Sequence, residues 1–254
     1  DYNRVDRLTE SINKFAGNVK GVSVDFLLIP NTSLIYEDKL PYGAKSNEKE
    51  VISHINKTVS DKVNTIDVTD VLKANEGLYY KTDHHWKTKA AYYTFRQYAA
   101  YKGITPVNYN FYDVTGNFQG TQSSNSGVYS TYETVTIGVP DNSIGTYTVE
   151  YVNEGKKTTS LFDDKYQVFL GGNFAQVDIT TTAGTGRNLM IIKDSYANCF
   201  IPLLTPYYDK IIVIDPRYFY DDIYTLIEAY GISDVLFMYN VNSYVEDNSL
   251  EDIL

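Results

Sequence analysis

Short apolar runs recur along this chain, each followed by a segment of helical period, and that alternation restricts the fold more than any other feature. The runs are "GVSVDFLLIP" (21–30), "NLMII" (188–192), "KIIVID" (210–215) and "DVLFMYN" (234–240). Strands this apolar are buried on both faces rather than one. The first helical segment, over 4–16, spaces Val5, Leu8, Ile12 and Phe15 on one side. "SNEKEVISHINKTVS" (46–60) puts Val51, Ile52, Ile55 and Val59 on one face, with Ser46 or Asn47 as its cap. "NTIDV" (64–68) reads as a short strand. A third helix, roughly 88–102, aligns Ala91, Phe95, Tyr98 and Ala99, and Gly103 ends it. Further helices are predicted near 196–204 and 219–230. The pattern implies a mostly parallel sheet covered on both faces.

Residues 107–186 differ in style. They are rich in Thr, Tyr, Val, Asn and Gly, alternate in "TYTVEYV" (146–152), and carry turn signals in "NEGKK" (153–157) and "LGGN" (170–173). A β-rich insertion within one domain spanning 1–254 is expected.

Bulk properties exclude several functions. With 43% hydrophobic and 21% charged residues, the chain has the composition of a folded globular protein. A net charge of −10 without a basic patch argues against nucleic acid and against polybasic membrane contact. No apolar run reaches the about 20 residues of a spanning helix. The chain opens on Asp1, and the expectation is a trimmed or mature fragment whose targeting segment is gone. One cysteine, Cys199, allows no intrachain disulfide. Tyrosine is unusually abundant at 25, which suits both aromatic packing and sugar stacking.

Reactive groups in an open parallel sheet gather at the carboxyl ends of its strands. Ser195, in "LMIIKDSYANCF", follows a strand directly and opens a helical turn, which exposes Oγ beside free N–H groups. A serine needs a base, and the base needs a carboxylate to orient it. "YYKTDHHWKTKAAYY" (79–93) supplies both in Asp83, His84 and His85. The third histidine, His54, sits on a helix beside Ile55, so the base is His84 or His85; the two-residue spacing from Asp83 favours His85. Cys199 is a rival nucleophile, although its "NCFIPLL" setting is that of a buried small residue. No HExxH and no second cysteine support a metal centre, and neither a metal nor a cofactor is expected. Two later strand ends offer oxyanion or substrate donors: Arg217 in "VIDPRYF", and Asn240, Tyr239 or Asn242 in "FMYNVN".

Taken together, "YYKTDHHW", "IIKDSYAN", "IDPRYF" and "DVLFMYN" resemble the DHHW family of bacterial proteins, related to the alginate O-acetyltransferase proteins of the SGNH (GDSL-like) hydrolase superfamily. The resemblance runs from "FLLIPNTSLIYEDKLP" to "MYN". It implies a three-layer α/β/α sandwich in which the Asp-x-His element precedes the serine, a circularly permuted order. It also implies Ser195 as nucleophile, His85 as base and Asp83 as its orienting acid, with Arg217, Asn240 and Tyr239 on the oxyanion side. The chain departs from the family at Lys87 and Ala90, and in "KDS" where "GDS" is usual. The implied activity is serine-dependent acetyl transfer on a glycan, as an O-acetyltransferase or O-acetylesterase using an acyl donor and a cell-envelope or exported polysaccharide. The alternative is an inactive carbohydrate-binding module on the same scaffold.

Overall fold

The structure is a computed structural model and describes residues 2–141, 147–153, 156–158 and 168–254. The first half contains α1 (Tyr2–Asn18), β1 (Ser23–Ile29), α2 (Thr32–Ile35), α3 (Glu48–Thr58), β2 (Val63–Ile66), α4 (Thr69–Lys73) and α5 (Thr88–Tyr101). Next come β3 (Tyr109–Phe118), α6 (Thr121–Ser126), β4 (Glu133–Pro140), β5 (Tyr147–Asn153), β6 (Lys156–Thr158) and β7 (Gln176–Thr181). The last part contains β8 (Asn188–Lys193), β9 (Lys210–Ile214), α7 (Ile223–Tyr230), β10 (Asp234–Asn240), α8 (Val241–Glu246) and α9 (Leu250–Ile253).

The main sheet has the order β2-β1-β10-β8-β9-β7-β5-β6. From β2 to β9 all neighbours are parallel; β7, β5 and β6 add antiparallel. The apolar strands divide by residue parity, as a period of two requires. Leu27, Ile29, Ile191, Val213, Leu236 and Met238 face one core with α5. Phe26, Leu28, Ile192, Ile214, Phe237 and Tyr239 face the other, packed by α1, α3 and α7 to α9. Each fully buried aliphatic side chain contributes about 1.5–3 kcal/mol, so covering both faces is what makes these runs viable as strands. The result is the expected α/β/α sandwich.

The β-rich stretch is divided between two sheets. β3 and β4 form a separate antiparallel pair, whereas β5 to β7 extend the main sheet, with Val177 and Ile179 in the α5-side core. "LGGN" turns through positive φ at Leu170, Gly171 and Gly172. The "NEGKK" turn includes Glu154 and Gly155, which lie outside the described residues. After β8 the chain forms two 3-10 turns, Ser195–Cys199 and Ile201–Leu204, in place of the predicted helix near 196–204. Pro202 has no N–H for a continuous helical ladder. The helix predicted near 219–230 begins at Ile223, where the Asp222 carboxylate accepts from Tyr224 N–H and Thr225 Oγ1.

Candidate active site

The "DHHW" segment is the tip of a tight loop. Tyr79 and Trp86 bridge antiparallel, Lys87 N–H donates to Leu78 O (2.7 Å) and Tyr80 N–H to His85 O (3.2 Å). Trp86 is fully buried, and its Nε1–H donates to Tyr196 O at 2.8 Å. That bond fastens the loop to the turn carrying Ser195. Tyr196 returns the contact through its hydroxyl, which donates to His84 O.

Ser195 opens the 3-10 turn at the end of β8. Asp194, fully buried, caps that turn: Oδ1 accepts from Tyr196 N–H (2.9 Å) and Oδ2 from Asn240 N–H (2.9 Å). Burial pushes the Asp194 carboxyl upward against the opposing pull of those donors and the Ser243 hydroxyl. Ser195 N–H has no hydrogen-bond acceptor among the described residues.

His85 and Ser195 stand 110 positions apart in sequence and meet at 2.8 Å, Nε2 to Oγ. On its other side, His85 Nδ1 is 2.6 Å from Asp83 Oδ1. Burial alone would raise the Asp83 carboxyl. The hydrogen bond and charge of His85, with N–H groups of Thr121 and His85, outweigh it and hold Asp83 well below the usual carboxylate range. An ionised carboxylate only accepts, so His85 Nδ1 carries a proton, which leaves Nε2 as the ring nitrogen that can accept from Ser195 Oγ–H.

Asp83 is further held by a segment the sequence does not mark. Thr121 N–H and Oγ1 donate to Asp83 Oδ2 at 2.9 and 3.2 Å. With that hydroxyl proton used, Thr121 Oγ1 accepts from His84 Nδ1–H at 2.6 Å. His84 therefore faces the loop, and burial together with the neighbouring His85 lowers its pKa. Gly120 permits this approach: a Cβ there would lie 2.1 Å from Asp83 Oδ2. Glu133 Oε2 accepts from Lys81 N–H, Thr82 N–H and Thr82 Oγ1, each at 2.8 Å, and fixes the backbone just before Asp83.

Two of the expected donors are bonded elsewhere and the third, Tyr239, faces away with no partner for its hydroxyl among the described residues. Arg217 forms a two-pronged pair with the buried Asp215, Nε to Oδ1 at 2.8 Å and Nη2 to Oδ2 at 2.6 Å. Lys193, the lysine of "KDS", is also buried and donates to Asp215 Oδ2 (3.2 Å) and Asn173 Oδ1 (3.0 Å). Asn240 uses both Nδ2 hydrogens, on Ile29 O (3.0 Å) and Asn31 Oδ1 (2.9 Å), while Oδ1 accepts from Asn242 N–H. Tyr239 points into the opposite core against Tyr244, since successive strand residues face opposite ways. Among the described residues none of these three bonds to Ser195.

The amide chain leaves one donor over. Because Asn31 Oδ1 accepts from Asn240, Asn31 Nδ2 is a buried N–H group with no partner among the described residues. Asn31, Asp83, His84, Gln122 and Asn242 line a cavity of about 710 Å³ at this edge of the sheet. Cys199 is buried, its Sγ 3.8 Å from Tyr196 O, as its apolar setting implies. His54 bonds Asp6 on the distant helical face at 2.6 Å. Asp83, His84 and His85 are the one group among the described residues with donor atoms close enough, within 4.8 Å, to share a metal ion. The same three side chains are already engaged in the Asp83–His85 and His84–Thr121 hydrogen bonds.

A parallel sheet whose carboxyl edge joins an Asp-x-His loop to a serine turn defines an SGNH-hydrolase-like domain. The family model described as SGNH hydrolase-like domain, acetyltransferase AlgX, matches residues 6–175, and the chain belongs to that family. The matched span includes Asp83 and His85 and ends before Ser195. The chain is similar to a crystallised DHHW family protein from Eubacterium siraeum, with 27% identity, 97% of this chain and 87% of that one covered, and a TM-score of 0.86. It is also similar to PatB1 from Bacillus cereus (20% identity, 100% and 94% covered, TM-score 0.82). A third is the O-acetyltransferase domain of AlgJ from Pseudomonas putida (9% identity, 96% and 84% covered, TM-score 0.59). At those identities PatB1 and AlgJ attest the fold alone. No curated protein matches the chain.

Proposed function

We propose that this chain transfers an acyl group, most simply acetyl, to or from a carbohydrate hydroxyl through Ser195, as an O-acetyltransferase or O-acetylesterase on a cell-envelope or exported polysaccharide. The observation carrying this reading is the continuous relay from Asp83 Oδ1 through His85 to Ser195 Oγ, at 2.6 and 2.8 Å. Ser195 Oγ attacks the donor's carbonyl carbon while His85 Nε2 takes the hydroxyl proton. Ser195 N–H faces the oxyanion, and Asp83 stabilises the imidazolium. Collapse breaks the bond to the leaving oxygen, which receives the proton from His85. The acyl-serine is then attacked by a sugar hydroxyl or by water, with His85 again taking the proton, and the serine is restored.

The test is hydrolysis of an activated acetyl ester, with intact mass measured during turnover. Ser195→Ala is expected to lower the rate by about 10⁴-fold or more, as loss of a triad member does. Wild type should gain the mass of one acetyl group. Equal rates for the two proteins would remove the mechanism. One observation favours a second reading, a glycan-binding module without turnover: Arg217 Nε and Nη2 and both Asn240 Nδ2 hydrogens are bonded away from Ser195. Glycan binding without turnover of any ester would select it.

A further inference from the structure

Of the two adjacent histidines, the relay uses His85 and leaves His84 without a chemical task. The sequence pairs them and the fold stacks them, with ring centroids 3.9 Å apart and planes tilted by 38°. His85 is buried, whereas the His84 side chain is 45% exposed and lines the cavity of about 710 Å³ beside Asp83. The second imidazole therefore borders the open space next to the relay.

Its hydrogen bonding fixes what it offers there. Thr121 Oγ1 gives its proton to a bond with Asp83 Oδ2 and accepts from His84 Nδ1–H at 2.6 Å. Burial and the neighbouring His85 lower the His84 pKa, so near neutral pH the ring carries one proton, on Nδ1. Nε2 then holds a lone pair, and it has no hydrogen-bond partner among the described residues. The backbone is fixed too, since His84 O accepts from the Tyr196 hydroxyl on the turn that carries Ser195. A held acceptor of this kind is suited to a ligand that brings a donor.

A single hydroxyl cannot serve both rings. In the second half of the reaction proposed above, the attacking hydroxyl gives its only proton to His85 Nε2. His84 Nε2 must accept from a second group, and the stacking of the rings keeps that group close to the first. Hydroxyls on adjacent carbons meet this requirement.

We propose that His84 selects the acyl acceptor: its Nε2 accepts from the hydroxyl beside the one being acylated, so that acceptors with hydroxyls on adjacent carbons are preferred. The reacting oxygen bonds to the acyl carbon and its proton passes to His85. The neighbouring hydroxyl keeps its proton and donates it to His84. Collapse breaks the bond to Ser195 Oγ, which recovers the proton from His85. A site built to bond a substrate hydroxyl discriminates against the analogue that lacks it. The inference rests on the acyl-transfer reading and adds which feature of the acceptor is recognised.

The experiment supplies an activated acetyl ester together with equal amounts of ethylene glycol and its monomethyl ether, at neutral pH, and quantifies the two acetylated products. Both acceptors attack through a primary hydroxyl, and only the glycol keeps a neighbouring donor. They compete for one acyl-enzyme, so the product ratio does not depend on how fast Ser195 is acylated. Counted per hydroxyl, the wild type is expected to favour the glycol by about five-fold, the scale of one hydrogen bond, and His84→Leu to bring the ratio within about two-fold of parity. A substitution that merely loosened Asp83 would slow both attacks alike and leave the ratio unmoved. Parity in the wild type, an equal preference in wild type and His84→Leu, or turnover of the ester without transfer to either alcohol would overturn the assignment. The wild-type ratio decides by itself where His84→Leu does not fold. Failure of the acyl-transfer reading shows separately, as a wild type that neither gains an acetyl group nor hydrolyses the ester, and it would remove this assignment with it.

Discussion

Gly120→Ala tests whether the β3–β4 segment orients Asp83, the carboxylate of the proposed relay. The backbone at Gly120 has φ −100°, which an alanine adopts without strain, so the substitution acts through space alone. The new methyl would sit 2.1, 2.3 and 2.5 Å from Asp83 Oδ2, Cβ and Cγ. Relief to about 3 Å requires Asp83 or the 120–121 backbone to move by about 1 Å, and packed interiors resist such insertion at about 1–3 kcal/mol. The displaced carboxylate loses the Thr121 N–H bond of 2.9 Å and misaligns the 2.6 Å bond to His85 Nδ1. A 1 Å misplacement costs about 10²-fold in rate, and loss of the orienting acid's function about 10⁴-fold. We expect kcat on an activated acetyl ester to fall between those limits while the fold survives, with a urea midpoint lowered in keeping with the packing cost. Gly116→Ala is the control. Its methyl would find nothing closer than Thr134 Oγ1 at 4.0 Å, and activity should stay within about two-fold of wild type. A Gly120→Ala chain with wild-type kcat, or a Gly116→Ala chain equally impaired, would refute the reasoning.

Two further outcomes concern buried charge. Asp215→Ala leaves Lys193 buried without its anion and releases Arg217, so urea denaturation should register a loss of about 3–5 kcal/mol, largely recovered by pairing the change with Lys193→Met. Asp234 is buried, yet its hydrogen bonds and charge contacts with Lys102, and bonds from Ser233 and Arg187, hold its carboxyl below the ordinary value. A depressed folded pKa gives stability that is complete above the unfolded value of about 4 and is lost as pH falls through the folded value. Asp234→Asn should therefore be less stable at pH 7 but show a shallower fall in urea midpoint from pH 5 to 3; parallel acid limbs would contradict the assignment.

The parts legible in the sequence are those fixed by periodicity and by scarce residue types. Leu27 and Ile29 against Phe26 and Leu28 divide two faces by parity alone. Three histidines left little choice of base, and the Asp83–His85 spacing already suited a bond that closes on Nδ1. The donors were harder because a strand end gives proximity without telling which partner captures a side chain. Arg217 is taken by Asp215, two residues before it, and Asn240 by the next strand's Ile29 and Asn31. Tyr239 was excluded by the same parity that orders the cores. Gly120 and Thr121 carry no local mark, since a glycine–threonine step is ordinary loop chemistry and its partner Asp83 is 38 positions away from Thr121.

The hairpin joins these observations. Its inner side holds the acid through Thr121, and the 81–82 backbone through Glu133. Its docking is apolar: Tyr109, Phe118 and Val135 are buried in the α5-side core, and Tyr109 Oη donates to Leu203 O at 2.5 Å. Its outer side carries Phe111 and Tyr132, both exposed. Asp83 has just two donors from its own loop, His85 N–H and His85 Nδ1, and both belong to the residue it must orient. A carboxylate held only by its partner would move with it. The bonds from Thr121 give Asp83 a reference outside the loop, and that external anchor is what allows it to impose an orientation on the imidazole. In the proposed mechanism the β-rich segment is part of the frame that holds the relay, placed by the same core that buries Trp86.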